Sequence, residues 1–125
     1  MTGIYGIYNG TANVLTQTGT LLGQFKSSTI QNGFLSKFSS NGSYVYSLYV
    51  TCTGTPSTSY SVYCDPYSNV YMAGTFTANP TTITNTAGST LATFPAPVGG
   101  QASFLCKFDT NGNFVNYRII DANGS

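Results

Sequence analysis

This chain of 125 residues has no histidine, no tryptophan and no glutamate, and its charge rests on Lys26, Lys37, Lys107, Arg118, Asp65, Asp109 and Asp121. Only 6% of its residues are charged, against about 25% in ordinary globular chains. A formal net charge of +1 offers no basic stripe to neutralise phosphates, so no nucleic acid partner is expected. Without histidine or glutamate, general acid or base chemistry would fall to three aspartates, each near turn-forming residues, and turn formation is the favoured reading of all three. No enzymatic activity is expected. The three cysteines, Cys52, Cys64 and Cys106, lack a Cys-x-x-Cys spacing and have no histidine to join them, which excludes a standard zinc site. The Asp-rich calcium loop pattern is missing as well, and no cofactor is expected. No run of 18 apolar residues is present, and the N-terminus lacks the basic-then-apolar pattern of a secretory leader. Membrane insertion is not expected, and a secreted product would be the mature form. Apolar residues at helical spacing are also missing, while Gly, Thr, Asn and β-branched residues dominate.

What is present is a repeat. Gly33 to Val50 aligns without a gap on Ser103 to Ile120, with identities at Phe34/Phe104, Leu35/Leu105, Lys37/Lys107, Phe38/Phe108, Asn41/Asn111, Gly42/Gly112 and Val45/Val115. Leu15 to Thr18 falls on Ile83 to Thr86 at one offset, and Gly19, Leu22 and Phe25 on Gly88, Leu91 and Phe94 at another, as loop insertions would produce. The chain therefore reads as all-β, with a repeat of about 70 residues divided into 1–50, an incomplete first unit, and 51–125, a second unit. A repeat unit of this kind buries its apolar faces only against neighbours.

Around the matched segments, Tyr44, Tyr46, Leu48 and Val50 alternate with Val45, Ser47 and Tyr49, so both faces carry apolar groups, as in a sheet covered on two sides. Asn41-Gly42 and Asn111-Gly112 read as tight hairpin turns with positive φ at both central residues. Asp65-Pro66 marks a further hairpin between Ser61–Cys64 and Asn69–Ala73, and Pro95 to Gly100 reads as a loop. Cys64 and Cys106, on apolar strand parities, read as buried packing residues, and a Cys52–Cys64 disulfide is geometrically conceivable. Lys37 and Lys107 share a repeat position, which points to a structural role. Ten tyrosines, Tyr5, Tyr8, Tyr63, Tyr67 and Tyr71 among them, fit half-buried strand positions or a sugar- or protein-binding surface. The Asn-Gly-Thr/Ser triplets at Asn9, Asn41 and Asn123 match the N-glycosylation pattern, but Asn-Gly turns generate it by accident.

The segments Tyr46 to Val50, Ser61 to Gly74 and Phe104 to Gly112 resemble the bacterial β-propeller repeats called SBBP. That family has an inner strand ending in Asp, an Asn-Val-Tyr-x-x-Gly strand, a Phe-x-x-Lys-Phe strand and an outer strand after an Asn-Gly turn. The resemblance implies two propeller-like blades. Met1 aligns near Asn69, so the first blade would lack its inner strand, and two blades are too few to close a ring, which typically needs about four to eight. The expectation is an open-edged protein completed by oligomerisation, whose assembly edges are Thr2, Ile4, Tyr5 and Tyr8 at one end and Tyr117, Ile119 and Ile120 at the other. Its partners would be other copies of itself, forming a ring or filament that is extracellular or surface-associated, such as on a virion. The alternative is a glycan-binding oligomeric propeller with sites in Tyr- and Asn-lined clefts between blades.

Overall fold

A computed structural model describes residues 2–5, 11–26, 32–52, 60–77 and 80–121, with residues 2–5, 32, 52 and 60 described by backbone alone. Tyr8, Asn9 and Asn123 lie outside the described residues. Eleven strands and no helix form among them: β1 (Thr2–Tyr5), β2 (Thr11–Leu15), β3 (Leu21–Lys26), β4 (Asn32–Phe38), β5 (Tyr44–Cys52), β6 (Tyr60–Cys64), β7 (Val70–Thr77), β8 (Thr81–Asn85), β9 (Thr90–Phe94), β10 (Gln101–Phe108) and β11 (Phe114–Asp121). The protein is all-β, and its antiparallel sheets do not close.

Three sheets result, ordered β1-β4-β5-β8-β9, β11-β10-β7-β6 and β2-β3. Strands β8 and β9 belong by sequence to the second repeat, yet β8 pairs with β5 of the first, with Val50 opposite Ile83 and Tyr49 opposite Thr84. The boundary at residue 50 is therefore not a boundary between sheets. A single core joins both repeats: Leu35, Leu48, Val50, Ile83 and Ala92 of the five-stranded sheet pack with Val70, Met72, Phe76, Phe104, Cys106 and Phe108 of the four-stranded one. Phe94 anchors the seam, its ring centroid 5.7 Å from Phe76, 5.1 Å from Phe104 and 4.9 Å from Tyr117. Pairs and triads of aromatic rings at these spacings add specific contacts to the area they bury.

Pairing registers define the repeat better than the residues alone. Leu35 faces Leu48 as Leu105 faces Arg118, and a bulge interrupts each ladder after Lys37 and after Lys107, fixing equivalence at 70 residues for β4/β10 and β5/β11. In the hairpins, Ala12 faces Phe25 as Thr81 faces Phe94, and Leu15 faces Leu21 as Thr84 faces Thr90, with matching bulges. The hairpin offset is thus a uniform 69, so Leu15 is equivalent to Thr84 and not to Ile83; the similar Leu and Ile side chains had suggested a register one residue off. Thr2 faces Leu35 as Ala73 faces Leu105, which places Thr2 at Ala73. The start of the first repeat therefore falls later than the alignment of Met1 with Asn69 implied, because the short β1 matches only part of β7.

Five hairpin turns obey one rule. At Thr16, Ser39, Asp65, Asn85 and Asp109, the residue's N–H donates to the carbonyl four residues on, and its carbonyl accepts from the N–H three residues on. The same side chain's oxygen also accepts from the N–H four residues on, at 2.9 to 3.1 Å. Short oxygen-bearing side chains fit this because they fold back onto nearby amides. Positive φ occurs once per turn, at Gly19, Gly42, Ser68, Gly88 and Gly112. Asn41 and Asn111 do not share it, which corrects the expected turn: these are three-residue loops closing on a bulge at the glycine, not two-residue turns with two positive-φ residues.

Candidate assembly site

Three strand edges are occupied in one repeat and unpaired among the described residues in its equivalent. β6 covers the edge of β7 away from β10, whereas β1, the counterpart of β7, pairs only with β4. β8 covers the outer side of β5, whereas the counterpart β11 pairs only with β10. Hairpin β8–β9 joins a sheet through β8, whereas the equivalent β2–β3 stands as a sheet of its own. The sequence-predicted edge residues Thr2, Ile4 and Tyr5 thus lie on β1, and Tyr117, Ile119 and Ile120 on β11. Within β11, the side chains of Tyr117 and Ile119 are partly buried against the core, the Tyr117 ring meeting Phe94 and Phe114, while Ile120 is exposed. The third edge, β2, carried no sequence signal, because nothing in Thr11–Leu15 distinguishes a strand that has a partner from one that lacks it.

Burial repeats the asymmetry. On the core-facing side of the first repeat, Leu35 and Val50 are 0% and 1% exposed, while the equivalent Leu105 and Ile120 are 46% and 76% exposed. The exposed pair, with Ser61, Ala73, Ser103 and the Arg118 stem, lines a shallow depression of about 490 Å³ on the outer face of the four-stranded sheet. Apolar residues gathered on one face, as opposed to scattered singly, mark an interaction surface.

The inter-sheet contact within the chain is held at its rim by polar groups. Lys37 Nζ donates to the carbonyls of Ser68 at 2.6 Å and Thr110 at 2.9 Å, linking β4 to two turns of the other sheet, and lies 5.7 Å from the centre of the Tyr46 ring. The Tyr46 ring rests on Gly112, where an added Cβ would come within 2.8 Å of it. Burial, aided by Cys64 and Asp109, pushes the Tyr46 phenol well above its ordinary pKa, and its hydroxyl has no hydrogen-bond partner among the described residues. Lys107 has a comparable ring contact, 5.4 Å from Tyr71, but no carbonyl partner among the described residues.

The remaining candidates resolve into structural roles. Asp65 accepts from the Tyr67 and Asn69 amides and the Asn69 side chain, and Asp109 from the Asn111 and Asn113 amides and the Asn113 side chain, all at 2.9 Å. The side-chain bonds from Asn69 and Asn113 are the main cause holding both carboxyls below their ordinary pKa, as expected where a carboxylate accepts several N–H groups. Pro66 occupies the turn between β6 and β7. Asp121 accepts from the Val98 N–H at 2.8 Å and so ties the loop after β9 to β11. Cys106 is buried, which pushes its thiol up to about 12, a value that makes it inert. Cys64 is an exposed free thiol, which corrects its expected burial, because it lies where β6 enters its turn; the side chain of Cys52 lies outside what the structure describes. Tyr63 and Tyr67 are exposed beside Asp65, but the cleft of about 310 Å³ between the two large sheets is lined by Leu35, Ser36, Lys37, Phe38, Val62, Cys64 and Val70, with neither tyrosine nor asparagine. No group of residues able to hold a metal occurs among the described residues. No family profile, curated protein or solved structure matches this chain.

Proposed function

We propose that this protein is a non-enzymatic structural subunit that self-assembles through its strand edges. The observation that carries this reading is the contrast between Leu35 and Val50, buried by the neighbouring sheet, and Leu105 and Ile120, exposed at the same repeat positions. A unit that needs a neighbour on that face has one inside the chain and needs another outside it. The few charges leave little repulsion to oppose copies meeting. In this reading each large sheet is a propeller-like blade of the SBBP kind: the Asn69–Gly74 motif runs from the turn into β7 and Phe104–Phe108 lies in β10, with β6 inside and β11 outside. The contact is heterologous, so its rotation decides between a ring and a filament, and a surface-associated or extracellular polymer fits the Thr- and Asn-rich composition.

Light scattering across a hundredfold range of concentration, followed by negative-stain microscopy, tests the reading. Masses that grow in steps of 13.2 kDa, or visible polymers, are expected. A strict monomer throughout would overturn it.

A further inference from the structure

The two repeats of one chain already contain a complete joint, and this defines what the joint between chains would be. Inside the chain, hairpin β8–β9 does two things at once. It lays Phe94 on the face of the four-stranded sheet of its own repeat, against Phe104, and it adds β8 to strand β5 of the first repeat. Hairpin β2–β3 performs the first of these with the same geometry. Phe25 meets Phe34 at 5.2 Å and 35°, as Phe94 meets Phe104 at 5.1 Å and 31°. The hairpin is therefore already seated on the large sheet of its own repeat as its equivalent is, and the second task, adding to an outer strand, is undone among the described residues. The outer strand that lacks a hairpin is β11.

We infer that β2 of one copy adds antiparallel to β11 of a second copy, in the register that β8 takes on β5. This rests on the assembly reading above and specifies its interface. Carrying the observed pairs across the 70- and 69-residue equivalences, Val50 opposite Ile83 becomes Ile120 opposite Val14, Tyr49 opposite Thr84 becomes Ile119 opposite Leu15, and Thr51 opposite Thr82 becomes Asp121 opposite Asn13. The side chains suit these places. Leu15 is 51% exposed where its equivalent Thr84 is 8% exposed, and the pairing brings Leu15 and Ile120 out of water together with their strand edges. The hydroxyl pair of Thr51 and Thr82 is replaced by an amide that can donate and a carboxylate that can only accept.

The same docking places faces as well as edges in register. Leu105 and Ile120 of the copy that supplies β11 would lie over Phe34, Ser36 and Phe38 of the copy that supplies β2, as Leu35 and Val50 lie over the sheet that carries Phe104, Cys106 and Phe108. Lys107 of the copy that supplies β11 would then reach the carbonyl of Ser40 in the copy that supplies β2, the equivalent of Thr110, to which Lys37 donates. Edge addition supplies main-chain hydrogen bonds, and alternate side chains select the register.

The test mixes two variants, Val14→Cys and Ile120→Cys, under mild oxidation, and maps the linked peptides by mass spectrometry. A disulfide joining position 14 of one chain to position 120 of another is expected, at least tenfold above the yield when Leu15→Cys replaces Val14→Cys, since one residue of slip turns the side chain to the other face. Because a variant could fail to fold, hydrogen exchange on the unmodified protein supplies a second readout: on concentration, amides of β2 and β11 should gain protection together. Assembly without the 14–120 link and without joint protection overturns this joint and leaves the assembly reading standing. The absence of assembly overturns both.

Discussion

The equivalent sheets of the two repeats share their ladders, bulges and turns, yet they bury different residues. Leu35 and Leu105 occupy the same position on equivalent strands, and one is sealed while the other faces solvent. Pairs farther out behave alike: Phe38 meets Tyr44 edge-on at 5.9 Å, and Phe108 meets Phe114 edge-on at 6.1 Å. Local geometry thus follows local sequence, whereas burial follows from what lies on the other side of the sheet. The difference between the repeats measures what a neighbouring sheet contributes, and equivalent substitutions in the two repeats can read that contribution directly.

The largest contrast is expected at the leucines. Leu35→Ala empties a fully buried site and should cost about 2–5 kcal/mol, while Leu105→Ala in the dilute chain should fall within about 0.5 kcal/mol of zero. Urea unfolding below the concentration of assembly separates them. Equal losses at both positions would break the comparison, because they would mean that Leu105 is covered in the isolated chain. The same Leu105→Ala variant should weaken assembly at higher concentration.

The turn glycines come next. Gly42 and Gly112 have φ of +84° and +87°, so alanine strains both backbones similarly, by about 1–2 kcal/mol. At Gly42 the new Cβ meets nothing within 4 Å, whereas at Gly112 it collides with the Tyr46 ring of the other sheet. Overpacking of this kind adds about 1–3 kcal/mol, so Gly112→Ala should be the more damaging by that margin in the same unfolding assay. A double variant with Tyr46→Ala should remove the excess, and an excess that survives would assign it to the backbone.

Much of this was legible in the sequence and some could not be. The all-β class, the repeat, the Asn69–Ala73 hairpin and the Pro95–Gly100 loop followed from alternation and turn residues, which act over a few neighbours. The crossing of β8–β9 onto β5 did not, because pairing between Val50 and Ile83 is a contact between distant segments that leaves no mark on either. The hairpin register was misjudged by one residue for a related reason: Leu15 resembles Ile83 in side chain but Thr84 in position. A shared turn rule would have set it right, since Thr16-x-x-Gly19-Thr20 and Asn85-x-x-Gly88-Ser89 align at a single offset once the polar residue and the glycine three places on are treated as one signal.

The lysines offer a smaller contrast. Lys37→Met keeps an apolar stem and removes the ammonium that bonds two turn carbonyls of the other sheet. The site is near the surface, so the loss should be about 1 kcal/mol. Lys107→Met should change the dilute chain by less than about 0.5 kcal/mol. If Lys107→Met proves the costlier in dilute solution, the two sheets do not differ in their neighbours as described.

The weakest effect, acidity, sharpens the comparison at a single pair of turns. The β10–β11 turn is organised by the carboxylate of Asp109, and the equivalent β4–β5 turn by the hydroxyl of Ser39, which does not titrate in this range. Hydrogen bonds from Asn113 and its neighbours lower the folded pKa of Asp109 below the ordinary 3.8. A group with a depressed folded pKa contributes stability above its unfolded pKa and loses that contribution as pH falls through the folded value. Amide exchange at Asn111 and Asn113 should therefore quicken, relative to Asn41 and Ser43, only as pH drops below about 4, once the intrinsic pH dependence of exchange is removed. Asp65 acts in the same direction at Tyr67 and Asn69. Asp109→Asn retains an acceptor oxygen for the two amides but no proton to gain, so it should flatten the response at β10–β11 while leaving β6–β7 sensitive. A uniform acid response across all three turns would instead point to a whole-chain opening, and would show that the carboxylate bonds are not what distinguishes the turn of the second repeat from that of the first.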